Sequence, residues 1–138
     1  MRRARGISLV ERAVIAEKWR AAKVDAGIHA LMGEDSNRLV DLSGRMFYVA
    51  LGAARTEGID AEDPDVRVLR GAVNAVHDQA GEADIPDARR AAILSGLQAV
   101  GRITQRVPHR ALVDAAVELE LRLRAGNVTT SDFEALTA

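Results

Sequence analysis

Apolar residues are most concentrated between Leu39 and Arg55, where they occupy every side of a helical wheel. Spacings of three and four residues define two neighbouring apolar faces, the first formed by Leu39, Leu42, Met46, Val49 and Ala53, and the second by Val40, Phe47, Leu51 and Ala54. A helix with two apolar faces needs neighbours on both sides. The pattern therefore predicts a buried central helix around which the other segments pack.

The segment before the central helix carries a heptad pattern. Ser8 and Glu11 form a capping-box motif that predicts a helix start. From there, positions spaced alternately by four and three residues make a seam of about three heptads, which consists of Val10, Val14, Glu17, Ala21, Val24, Ile28 and Leu31. This length favours coiled-coil-like packing of the first helix.

Two residues of this helix have alternative interpretations. Glu17 occupies a seam position, and burying its carboxylate unpaired would be costly. We expect it to reach the rim of the seam or to meet an arginine; the alternative is a buried functional acid. Trp19, the only tryptophan, lies off the seam. We expect it to pack under a loop or a terminus, whereas an exposed Trp19 would mark a surface for a partner.

Turn and capping signals divide the rest of the chain. Gly33 followed by Asp35 or Ser36 separates the first two helices, and the loop from residue 56 to 65 ends in an Asp-Pro pair typical of a helix start. The third helix is predicted to reach about residue 80, before Gly81. The fourth opens at residues 84–87 and precedes Pro108, and the fifth runs to Gly126.

Two features at the C-terminal end complete the predicted fold. Residues 117–124 alternate apolar and charged side chains, as a strand would, but the helical spacing of Leu112, Ala116, Leu119 and Leu123 runs through them, so we predict a helix. A second capping box at Ser131 and Glu134 predicts a short final helix. The expected fold is an all-α, single-domain bundle of about five main helices plus a short C-terminal helix, with residues 1–7 as a basic tail and residues 8–138 as the domain.

Small residues within the central helix suggest a close helix contact. Gly44 and Gly52 are eight residues apart, on similar sides of the wheel. Glycine inside a helix costs roughly 1 kcal/mol relative to alanine, so two of them indicate a packing requirement. The neighbouring helix belongs either to the same chain or to a second copy, and we expect a homodimer.

Composition excludes several classes of protein. The 138 residues include no cysteine, so there is no disulfide and no thiolate metal site. No apolar run approaches the roughly 18 residues of a membrane span, and the arginine-rich start lacks the apolar segment of a secretion signal. We expect a cytoplasmic protein without membrane partners. The abundance of Ala, Arg and Val is typical of GC-rich bacterial genomes.

Charge is unevenly distributed along the chain, although the net charge is only -1. Counting Lys and Arg against Asp and Glu, residues 1–33 carry +4, residues 34–87 carry -7 and residues 88–138 carry +2. Either the opposite segments complement each other, in the fold or across a dimer, or one surface attracts a charged partner.

Two charged groups are candidate contact sites. Arg102, Arg106 and Arg110 recur every four residues and, with Arg89, Arg90 and His109, predict a basic ridge for an anion or nucleic acid. The acidic loop containing Asp60, Glu62, Asp63 and Asp65 is the candidate patch for a basic partner; it lacks the glycine and glutamate positions of an EF-hand. An acidic strip of this kind would also mimic nucleic-acid phosphates.

One dipeptide resembles a catalytic motif. His77-Asp78 is similar to the HD dyad of metal-dependent phosphohydrolases, which are all-helical. The resemblance implies His29 as the upstream metal ligand and Asp114 as the downstream one, with the metal activating water. The alternative is a histidine stabilised by the dipole at a helix C-terminus.

No other pattern indicates catalysis. The sequence contains no G-x-S-x-G motif, no glycine-rich phosphate loop and no pair of histidines at i, i+4 spacing. We therefore expect a non-catalytic protein-interaction or regulatory module without a cofactor, acting on an unidentified protein partner. The alternatives are a nucleic-acid-binding regulator that uses the arginine ridge and a metal-dependent phosphohydrolase of the HD type.

Overall fold

The computed structural model describes residues 7–126, which form five α-helices and no strand. The helices are α1 (Leu9–Met32), α2 (Ser36–Thr56), α3 (Pro64–Gln79), α4 (Asp87–Thr104) and α5 (His109–Ala125). The predicted all-α bundle is confirmed for these residues. Residues 1–6 of the predicted basic tail, and the predicted final helix with Phe133 and Leu136, lie outside the described residues.

Helix α2 is the centre of the bundle, as its two apolar faces predict. It packs against all four other described helices, whereas α3 packs mainly against α2 and α4. Phe47 is fully buried and Tyr48 is only 4% exposed, so both sides of α2 are covered. None of the helices within residues 7–126 has both the length and the apolar content of a membrane span.

Local signals set the helix ends. The side chains of Ser8, Asp35 and Asp63 accept hydrogen bonds from the first-turn amides of α1, α2 and α3. Pro64 occupies the first turn of α3, and Gly126 ends α5 in the left-handed conformation with φ of 73°. The predicted boundaries are therefore confirmed to within a few residues.

Residues 117–124 are helical, as predicted from their spacing. Val117 and Leu119 are buried, and the charged residues between and after them lie toward the edge of α5. Glu118 pairs with Arg122 at 3.6 Å and Glu120 with Arg124 at 3.4 Å, both at the i, i+4 spacing that brings side chains together on a helix.

Helix α1 packs through a different face from the heptad seam. Its contacts with the core come from Ile15, Trp19, Ala22, Ala26 and Ala30, again spaced by three or four residues. All seven seam positions are exposed. The seam therefore makes no packing contribution to the core of the described residues, because α1 has two apolar faces and the bundle buries the one richer in alanine.

This orientation of α1 determines the environments of Glu17 and Trp19. Glu17 is exposed and accepts two hydrogen bonds from Arg20, each of 2.7 Å, which confirms that its carboxylate meets an arginine. Trp19 is half-buried against the core between helices, rather than under a loop.

Gly96 allows a close contact between helices, whereas Gly52 lies at an ordinary one. A Cβ at Gly96 of α4 would collide with the Cβ of Ala72 on α3 and would lie 2.7 Å from Cζ of Phe47 on α2. A Cβ at Gly52 would lie 3.5 Å from the Cβ of Ala115 on α5. The helix that faces Gly52 therefore belongs to the same chain, but at 3.5 Å the contact does not require glycine.

Candidate interaction surface

The arginine ridge and the acidic loop are brought together by the fold. Arg106 donates to both carboxylate oxygens of Asp63, at 2.8 and 2.7 Å, and from Nη1 to Asp65 at 3.1 Å. Arg102 donates from Nε to the other oxygen of Asp65 at 2.7 Å. Four residues from the two candidate sites therefore form one ion-pair cluster between the end of α4 and the start of α3.

This cluster has a measurable electrostatic consequence. The side chains of Asp63 and Asp65 are each only 15% exposed. The hydrogen bonds that Arg106 donates to Asp63 lower the pKa of Asp63 from 3.8 to about 2 and raise the pKa of Arg106. Both partners are thus held in their charged forms, and a bidentate arginine–carboxylate pair fixes their geometry.

The remaining members of the two candidate sites lie outside the cluster. Asp60 accepts a hydrogen bond from the amide of Glu62 at 2.7 Å, so it orders the loop, and Glu62 approaches Arg70 at 4.0 Å. Arg110 is exposed in the first turn of α5. The proposed contacts of Arg102, Arg106 and Arg110 with an anion, and of the acidic loop with a basic partner, stay predictions.

Arg90 binds the C-terminal end of α1. Its guanidinium donates to the carbonyl oxygens of His29, Ala30 and Gly33 at 3.0, 3.1 and 2.8 Å. The carbonyl oxygen of His29 also accepts from the amide of Gly33 at 3.0 Å. Arg90 thus adds a charged donor to the carbonyl groups at this helix end and places a cation at the negative end of the helix dipole. Arg90 joins α4 to α1, a role that the sequence pattern did not indicate.

Gln79 is a buried polar residue that the sequence analysis missed. Its Nε2 donates to Oγ of Ser36 at 2.9 Å and to the carbonyl oxygens of Asp84 at 2.8 Å and Glu82 at 3.3 Å. Its Oε1 accepts from Arg89 at 3.3 Å. The fully buried amide therefore fixes the α3–α4 connection against the start of α2. Its position one helical turn beyond the apolar Val76 is the only signal in the sequence.

The residues of the HD resemblance are not gathered into a metal site. His77 and Asp78 are exposed at the end of α3, and Asp114 pairs with Arg12 at 2.7 Å. Across the described residues, which include His29, no group of three His, Asp or Glu side chains is placed to hold a metal ion. The geometry offers no common centre for the implied ligands.

The exposed side of α1 carries nearly all of the large apolar residues that are exposed in the described part of the chain. We define the outer face of α1 as seven large apolar residues that are between 48% and 83% exposed, namely Leu9, Val10, Val14, Val24, Ile28, Leu31 and Met32. Only one other large apolar residue in the described chain, Leu121, reaches comparable exposure, at 36%. Scattered exposed apolar residues are common, but seven on one helix form a patch that indicates a binding surface.

A groove lies beside the outer face, between α1 and α5. It has a volume of about 500 Å³ and continues toward the outer face through Ala13, Glu17 and Arg20. Its floor is mainly apolar, formed by Ala16, Leu112, Val113 and Ala116. The groove and the outer face are therefore adjacent on the surface of α1.

Comparison of the chain with protein-family models, with curated proteins and with solved structures finds no match.

Proposed function

We propose that the chain is a non-catalytic protein-interaction module that docks a helical partner on the outer face of α1. The observation that carries the proposal is the exposure of seven large apolar side chains on one helix of an otherwise packed bundle. Leaving such a patch in water is unfavourable, and covering it with apolar side chains of a partner removes that cost.

The spacing of the outer face supports a helix as the docked element. The seam positions alternate by four and three residues, which keeps an apolar strip facing a second helix that crosses at a small angle. The scaffold beneath is rigid, because α1 is packed on α2, α4 and α5 and is bound at its end by Arg90.

The two alternative functions have weaker support. Arg102 and Arg106 are engaged with Asp63 and Asp65, so phosphates would have to compete with carboxylates already in place. The residues of the HD resemblance share no centre at which a metal would activate water.

Site-specific photo-crosslinking tests the proposal. A benzophenone amino acid replaces Val24 on the outer face in the full chain, and Asn74, an exposed residue of α3, is the matched control position. We expect covalent adducts to a protein from position 24 and few from position 74. Adding Ile28→Asp should suppress the adducts at 24. Equal adduct yields from the two positions would overturn the proposal.

A further inference from the structure

We infer that the partner of the outer face is a second copy of this chain, with the two α1 helices packed antiparallel. This inference rests on the proposed function, since it names the occupant of the same surface. A homodimer around a twofold axis uses the same patch on both copies. The side chains and charges along α1 must therefore be complementary to those of a second α1 that runs in the opposite direction.

The position of Glu17 disfavours parallel packing in equal register. In a parallel pair with equal register, every seam residue faces its own copy, and the two Glu17 carboxylates would meet in the middle of an apolar strip. Like charges facing each other at this position are destabilising. In an antiparallel pair Glu17 faces a different residue, so the repulsion is avoided.

The flanking charges select one antiparallel alignment. When Ala21 faces Val24 of the second copy, Glu17 faces Ile28 and Val14 faces Leu31. In this alignment Lys18 lies across from Asp25 of the second copy, and the twofold axis generates the same pair again. Shifting the helices by one heptad would bring Lys18 against itself and Glu11 against Asp25, so the charges favour the first alignment.

Lys18 and Asp25 are available for this pairing. Their contacts within the chain are long, at 3.5 Å from Lys18 to Glu120 and 3.5 Å from Arg38 to Asp25. The side chains of Lys18 and Asp25 are 61% and 51% exposed. Each can therefore form a second ion pair across the interface at the edge of the apolar strip.

The area that this contact buries indicates a reversible dimer. Five of the outer-face residues, from Val14 to Met32, lie where the two helices overlap. Allowing roughly 60 to 120 Å² of apolar surface for each aliphatic side chain, and counting only the exposed fractions of 48% to 72%, each copy contributes about 180 to 350 Å². Since interfaces are about 60% apolar, the total comes to roughly 600 to 1,200 Å², which is the size of weak or transient interfaces and is below that of stable ones. We expect a dissociation constant in the micromolar range.

Sedimentation velocity of the purified full chain, from sub-micromolar to high micromolar concentrations, tests the inference. The wild type should change from monomer to dimer with concentration. Lys18→Asp and Asp25→Lys should each weaken the dimer about 5- to 30-fold, because each turns two attractive pairs into repulsive ones. The double variant Lys18→Asp/Asp25→Lys should restore the wild-type dimer, since the opposite charges face each other again.

The outcomes separate the inference from the proposed function. Val24→Asp should abolish the dimer, and Asn74→Asp, on exposed α3, should not affect it, with circular dichroism confirming that both variants fold. A wild type that stays monomeric would overturn the inference that the partner is a second copy. Crosslinks from position 24 to another protein would in that case still support the proposed function. Failure of the double variant to restore the dimer would overturn the antiparallel alignment. An adduct from position 24 to residues 127–138 of the same chain would overturn both.

Discussion

Arg106, just after the C-cap of α4, donates to both carboxylate oxygens of Asp63, at 2.8 and 2.7 Å, and Asp63 is also the N-cap of α3. The two residues belong to segments of opposite charge that lie 43 positions apart. Their pairing supports the interpretation that the acidic middle of the chain complements its basic flank within the fold. The carboxylate of Asp63 therefore both caps α3 and forms the ion pair with Arg106.

Acid unfolding should report this pair. The pKa of Asp63 is lowered to about 2 in the fold by its hydrogen bonds with Arg106, whereas the unperturbed value is 3.8. Because the folded pKa is the lower one, the pair stabilises the fold above pH about 4, and this stabilisation is lost as the pH falls toward about 2. Asp63→Asn keeps the N-cap. We expect the melting temperature of this variant to fall less than that of the wild type as the pH is lowered over this range.

A double-mutant cycle supplies the control for the pair. Arg106→Met should flatten the same part of the pH profile, although it also removes the 3.1 Å hydrogen bond to Asp65. Adding Asp63→Asn to Arg106→Met should then change the profile little, because the Arg106–Asp63 pair is already absent. If Asp63→Asn keeps the wild-type dependence between pH 4 and 2, the pair does not determine acid stability.

Two glycines of α4 should respond in opposite ways to alanine. At Gly96 the new Cβ would collide with Ala72 and lie 2.7 Å from Phe47, whereas no atom lies within 4 Å of a Cβ at Gly101. We expect Gly96→Ala to lower the free energy of unfolding by about 1 to 3 kcal/mol through overpacking. Gly101→Ala should raise it by up to about 1 kcal/mol, because alanine favours the helix. Urea unfolding measures both, and a stabilising Gly96→Ala would contradict the packing.

Removing the Gln79 amide should destabilise the α3–α4 connection. Gln79→Leu leaves Oγ of Ser36 and the carbonyl oxygen of Asp84 without their buried donor. We expect a loss of about 1 to 3 kcal/mol in the free energy of unfolding. Gln98→Leu at an exposed site on α4 is the matched control and should change stability by less than about 0.5 kcal/mol. Equal effects of the two changes in urea unfolding would argue against the buried network.

Arg90→Ala should loosen the last turn of α1. Three carbonyl oxygens lose their charged donor, and hydrogen bonds to charged groups contribute about 1.5 to 3 kcal/mol. Relative to the wild type, amide hydrogen exchange should become faster in the last turn of α1 and should change little in α5. Arg90→Lys should rescue only in part, because an ammonium group lacks the planar fork of donors. Arg110→Ala, at an exposed arginine, should leave α1 unchanged; a matching loss there would contradict the specific role of Arg90.

The sequence by itself determined the helices and their ends. Ser8, Asp35, Asp63 and Gly126 act on backbone groups within one or two turns, so their effect is local and can be derived from neighbouring residues. The central position of α2 was also evident, because a helix that is apolar on both sides cannot remain at the surface. The prediction of a helix over residues 117–124 is also confirmed. The helical spacing of apolar residues continues through this segment.

Only the tertiary structure decided which charged residues meet and which face of α1 is buried. Arg106 and Asp63 are distant in sequence, and no local rule relates an arginine in the α4–α5 connection to a carboxylate at the start of α3. Helix α1 carries two apolar stripes of similar period, and the small side chains of Ala26 and Ala30 allow the closer approach to its neighbours. Packing therefore buried the alanine-rich face and left the heptad seam outside, where the proposed partner contact lies.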